Sequence, residues 1–146
     1  FIQDAEGDLH VLCTGRWPAW GDTTDQGTNG GIFMIDPSAL SVNDSLPVQG
    51  HPSELTYDGD ETGYFLNGGV LNSYSTKTNR AVSNGLVSGW YYSVEADPVS
   101  QQIFCLDAKD YAQEGSLRIF STAGDSLETH SVGIIPGGVT FSYTEE

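Results

Sequence analysis

The sequence predicts an all-β fold: a β-propeller of four-stranded antiparallel blades, with about three blades present. Three observations predict it. First, residues 91–133 hold four short apolar or alternating stretches, separated by Asp97-Pro98, Glu114-Gly115 and Ala123-Gly124-Asp125. Short strands punctuated in this way are antiparallel β-structure, and four of them in about forty residues make one blade. Second, the unit recurs. An acidic turn stands before an apolar second strand at Asp4-Ala5-Glu6-Gly7, at Asp58-Gly59-Asp60-Glu61 and at Asp97-Pro98-Val99-Ser100, the last two starting 39 residues apart. Third, no stretch keeps helical periodicity beyond about two turns.

The elements follow in order. The first unit, about residues 1–50, has its second strand at Leu9-His10-Val11-Leu12-Cys13 and its third at Gly31-Ile32-Phe33-Met34-Ile35-Asp36. A fourth strand lies near Leu46 and Val48. The second unit, about 51–89, repeats this with Tyr64-Phe65-Leu66, Gly69-Val70-Leu71 and residues 81–86. The third, about 90–133, has Ile103-Phe104-Cys105-Leu106, Gly115-Ser116-Leu117-Arg118-Ile119-Phe120 and residues 129–132. Its inner strands are apolar on both faces, as a sheet packed between two others requires. Residues 134–146 are expected to form a closing strand that completes a blade begun elsewhere in the ring. Phe1-Ile2-Gln3 resembles the interior of a strand, an expectation of a processed or truncated start. In all, about eleven to thirteen strands are expected.

Three blades do not close a ring, since propellers use roughly four to eight. The first and last blades are therefore expected to expose apolar faces that missing blades or another chain must cover. Cys13 and Cys105 fall on equivalent second strands with a whole blade between them. They are expected to be reduced, apart and buried, because a disulfide needs Cα atoms within about 7 Å.

Charge excludes some partners. Twenty acidic residues face five basic ones, for a formal net charge of −15. Arg16, Lys77, Arg80, Lys109 and Arg118 are scattered, so no basic stripe exists to neutralise phosphates, and nucleic acid is excluded as a partner. Anionic membrane surfaces are disfavoured for the same reason. The acidity suits a solvated face in an extracellular setting, or recognition of a cationic ligand.

Motifs for catalysis are poor. No G-x-S-x-G occurs, and His10, His51 and His130 show no ligand spacing. Asp58-x-Asp60-x-Thr62-Gly63 matches the first half of a calcium loop, but Gly69 stands where the closing acid belongs, so a plain hairpin turn is preferred. Neither cofactor nor metal is expected, and the chain is read as a non-enzyme.

The long loop at residues 16–29 is the stronger signal. It opens on Arg16-Trp17-Pro18-Ala19-Trp20-Gly21-Asp22 and is far longer than a hairpin needs. Its equivalent in the third unit runs Asp107-Ala108-Lys109-Asp110-Tyr111. Such loops share one face of a propeller with the segments linking successive blades, Gln49-Gly50-His51-Pro52 and Ser88-Gly89-Trp90-Tyr91-Tyr92. Trp17, Trp20, Trp90, Tyr91 and Tyr111 are thus expected on one rim beside Asp107 and Asp110. Aromatic faces with a few polar groups hold a large planar ligand. The alternative is that these rings plug gaps between blades.

Several motifs carry a family resemblance: Leu12-Cys13-x-Gly15, Gly31-Ile32-x-x-Ile35-Asp36, Asp107-x-x-Asp110-Tyr111-x-x-x-Gly115, and the closing Val132-Gly133-Ile134-Ile135-Pro136-Gly137-Gly138. Together they resemble the YncE-like seven-bladed propellers of Gram-negative surface lipoproteins. One branch of that family binds corrinoids above an outer-membrane vitamin B12 transporter. The resemblance implies the C-terminal part of a seven-bladed ring, a place at the outer-membrane or extracellular surface, and a corrinoid on the aromatic rim. It also implies a transporter as partner. Two other functions compete. One is a structural or protein-interaction propeller. The other is a metal-dependent hydrolase, for which Glu54 and Glu95 stand near the central channel.

Overall fold

The alternation of apolar and polar residues between acidic turns produces twelve strands among the described residues. The computed structural model describes residues 1–144. β1 (Ile2–Gln3), β2 (Leu9–Cys13), β3 (Gly30–Asp36) and β4 (Ser41–Val48) form one antiparallel sheet in simple order. β5 (Pro52–Tyr57), β6 (Thr62–Asn67), β7 (Val70–Ser75) and β8 (Arg80–Val87) form the second. β9 (Ser93–Asp97), β10 (Gln102–Asp107), β11 (Glu114–Ser121) and β12 (Ser126–Ile134) form the third.

The acidic turns have a local cause. The Asp58 carboxylate accepts the N–H groups of Asp60 and Thr62, both at 3.0 Å, and so caps the hairpin between β5 and β6. Asp4 accepts the N–H of Asp8 and meets the buried His10 ring at 3.0 Å. Asp97 accepts the N–H of Val99 and the hydroxyl of Ser100. A short acidic side chain that bonds backbone two to four residues on is a turn former.

The sheets stack face to face. Between the second and third lies the larger core, with Tyr64, Leu66 and Leu71 against Val94, Ile103, Cys105 and Phe120. Between the first and second lie Ile32, Val48, Phe65 and Tyr74. Polar contacts fix the stacking: Thr56 accepts the N–H of Ala96 and donates to the Glu95 carboxylate at 3.1 Å. Gly63 is where the second sheet admits a ring, because a Cβ there would stand 2.1 Å from Cε1 of Tyr74.

Three expectations need correction. Residues 135–144 form no strand. Ile135 is left-handed at φ 54° and Pro136 has no N–H to give a ladder. This segment instead crosses the open face of the third sheet. Phe141 meets Phe104 edge-on at 5.1 Å, and the Tyr143 hydroxyl donates to Asp97 at 2.5 Å. That bond and the carboxylate charge push the Tyr143 phenol up to about 12. The third sheet's outer face is therefore partly covered by the chain itself, whereas the first sheet's leaves Phe33 and Val42 exposed. Finally, both cysteines are free, but only Cys105 is buried. Burial pushes its thiol up to about 12. Cys13 is the last residue of β2, on the sheet's outer side opposite Gly31, and is exposed.

Candidate functional site

At one end of the stacked sheets, strand-connecting segments enclose a cleft of about 510 Å³. Its walls come from the β2–β3 loop (Trp17), the β4–β5 and β8–β9 links (His51, Trp90, Tyr91, Tyr92) and the β10–β11 loop (Tyr111). Glu54 lines it from β5.

The β2–β3 loop is ordered by its own polar groups. Arg16 grips Asp25 with both guanidinium nitrogens, at 2.5 and 2.7 Å. Asp25 also accepts the N–H groups of Ala19 and Gly27. The Arg16 fork, with these N–H groups, holds the Asp25 carboxyl well below the usual carboxylate range. The loop ends are tied as Thr28 gives its N–H to the Arg16 carbonyl and its hydroxyl accepts the Arg16 N–H, both at 2.8 Å. This frame sets Trp17 on the His51 ring, stacked at 3.6 Å and 24°. His51 donates Nδ1–H to the Thr14 carbonyl at 3.2 Å, which fixes the ring's orientation.

Across the cleft, the Tyr91 N–H reaches the Gly69 carbonyl at 2.8 Å. The β6–β7 turn is glycine because Trp90 lies against it: a Cβ on Gly69 would stand 3.1 Å from the indole. Tyr92 meets Tyr111 edge-on at 6.0 Å. Tyr111 and Lys109 are both left-handed, at φ 63° and 50°, in one short loop. Glu54 is left-handed too, at φ 50°, in a β-bulge between Ser53 and Leu55. Such conformations cost about 1–3 kcal/mol each and concentrate at functional sites. The Ser93 hydroxyl donates to the Glu54 carboxylate at 3.2 Å. Glu95 lies nearby. Burial raises its carboxyl, the Thr56 hydroxyl opposes this, and the Glu54 charge raises it further.

Of the expected rim, the structure brings together Trp17, Trp90, Tyr91 and Tyr111. Trp20, Asp107 and Asp110 stand apart. Trp20 projects from the loop tip, fully exposed. Asp107 turns back on the N–H of Lys109, and Asp110 on those of Ala112 and Gln113, which lower its carboxyl. Tyr91 is divided between roles. It is 3% exposed and belongs to the core, with its hydroxyl accepting from Arg118 at 3.2 Å. His51, Tyr92 and Glu54 complete the cleft but were not singled out as ligand-binding from sequence. The period-two alternation around Tyr91 was the available signal for Tyr92.

No protein-family profile matches the chain, and no curated protein matches it. Solved structures do. The β-propeller domain of the Trilobed protease from Pyrococcus furiosus, described as having an open velcro topology, superposes with a TM-score of 0.56 at 12% identity. The match covers 90% of this chain and 46% of that one. The fold is a β-propeller. Its three sheets are blades, stacked as in that domain. Kuenenia stuttgartiensis hydrazine synthase is also similar, with a TM-score of 0.54 and 12% identity over 70% of this chain and 31% of that one. The chain thus spans less than half the length of either.

Proposed function

We propose that this propeller is a non-catalytic binding module and that the aromatic cleft is its ligand site. One observation carries the proposal. Trp17, Trp90, Tyr92 and Tyr111 come from three separate connections, converge on one cavity, and keep about half or more of their surface exposed, at 64, 65, 45 and 49%. Rings that merely filled gaps between blades would be buried.

The ligand we propose is a corrinoid, as the family resemblance implies, captured at the cell surface for an outer-membrane transporter. A ring wider than the cleft would rest across its mouth. Its flat face suits Trp17 and Trp90, and its peripheral amide N–H groups suit the Glu54 carboxylate. Calorimetry with cyanocobalamin tests this. Binding is expected at micromolar ligand, weakened roughly thirtyfold by Trp17→Ala or Tyr111→Ala, as for loss of about 2 kcal/mol from an aromatic anchor. No heat with the intact chain removes the corrinoid; equal binding by both variants removes the cleft.

A second reading has its own observation. Trp20 is fully exposed at the tip of a loop that Asp25 and Arg16 hold rigid. An exposed indole on a rigid support suits a protein partner. Capture of an outer-membrane partner by the intact chain, abolished by Trp20→Ala, would favour an interaction propeller.

A further inference from the structure

The cleft's charge narrows the class of ligand. Resting on the reading that the cleft is a binding site, we propose that it takes a methylated cationic head group, of the quaternary ammonium class, with Glu54 as counter-charge and Trp17, Trp90, Tyr92 and Tyr111 as its aromatic walls.

The electrostatics are one-sided. Among the described residues, Glu54 is the carboxylate that lines the cleft and no lysine or arginine lines it. Arg16 is engaged with Asp25 and Arg118 with the Tyr91 hydroxyl, and Lys109, in the loop that carries Tyr111, is not among the residues that line the cleft. Glu54 lies close enough to Glu95 for its charge to disfavour ionisation there. Two neighbouring carboxylates, one partly desolvated, favour a ligand that brings positive charge. The formal charge of −15 adds a long-range field of the same sign.

The aromatic walls choose among cations. A metal ion needs several hard ligands, whereas ring faces supply none. A primary ammonium carries three donors that want acceptors. A quaternary ammonium has no donor to satisfy, spreads its charge over methyl groups, and is attracted by ring faces. Indole is the best such face, and both Trp17 and Trp90 line the cleft. The Ser93 hydroxyl donates to one oxygen of Glu54 and so positions the carboxylate.

The test uses choline and its neutral isostere 3,3-dimethylbutan-1-ol, titrated by calorimetry into the intact chain and into Glu54→Gln. Choline is expected to bind at least about tenfold more tightly than the isostere, and Glu54→Gln is expected to erase most of that difference. Equal affinity for the two probes in the intact chain overturns the proposal, as does an unchanged preference in Glu54→Gln. Cyanocobalamin, which is neutral, separates the two levels. If it binds while choline does not, the cationic class fails and the binding module stands. If neither binds, both fail.

Discussion

Two groups of aromatic side chains in this protein have the same chemistry and opposite fates. Tyr64, Phe65, Tyr74 and Phe120 are almost inaccessible and hold the blades together. Trp17, Trp90, Tyr92 and Tyr111 stand open around a cleft. The first group lies on strands, on faces turned to a neighbouring sheet. The second lies on connections, past the strand ends. Trp90-Tyr91-Tyr92 contains the divide within three residues: Tyr91 enters the core, and its neighbours turn out. Whether a ring lies on a strand face turned to a neighbouring sheet or on a connection turned to the cleft therefore decides whether it stabilises the fold or remains available to a ligand.

The comparison can be broken by mutation. Phe120→Ala should cost about 3–5 kcal/mol, read as a lowered denaturant midpoint, because the cavity it leaves is enclosed by other core side chains. Gly63→Ala should cost about 1–3 kcal/mol, since its Cβ would drive into the Tyr74 ring, which has no free space to retreat into. Trp90→Ala should change stability by no more than about 0.5 kcal/mol while weakening any cleft ligand. If Trp90→Ala unfolds the chain as Phe120→Ala does, the open rings are structural after all.

The smallest effect should be confined to the β2–β3 loop. The folded state lowers the Asp25 carboxyl value, first through Arg16. A lowered carboxyl contributes order that is present above the unfolded value of about 3.9 and is lost as pH falls towards the folded one. Protection of the Ala19 and Gly27 N–H groups against hydrogen exchange should hold from neutrality to about pH 4 and then decline. Asp25→Asn should lower it at neutral pH without moving the global midpoint.

The blade pattern was legible because its signals are local. Asp4, Asp58 and Asp97 each bond to backbone a few residues on, and strand alternation is read from adjacent positions. Residues 139–143 carry the same alternation, yet they form no strand, because a strand needs a partner that composition does not reveal. Cys13 was expected inside because it belongs to an apolar run; being the strand's last residue on the outer side leaves it exposed. Asp107 and Asp110 were placed on the rim, but their short side chains bond the N–H groups of their own loop. The cleft was half legible. Aromatic density marked Trp17, Trp90 and Tyr111. The stacking of Trp17 on His51, and the bulge that sets Glu54 beneath them, depend on packing between blades and leave no local trace.

The three tryptophans offer the most direct test of the cleft as a binding site. Each gives one indole N–H resonance, assignable by replacing Trp17, Trp20 and Trp90 with Phe in turn. The intact chain is titrated with choline and, separately, with cyanocobalamin. Trp17 and Trp90 are expected to shift together and saturably with at least one probe, while Trp20, on the exposed loop tip, stays in place. A shift of Trp20 alone, or no shift of Trp17 and Trp90 with either probe, contradicts the account.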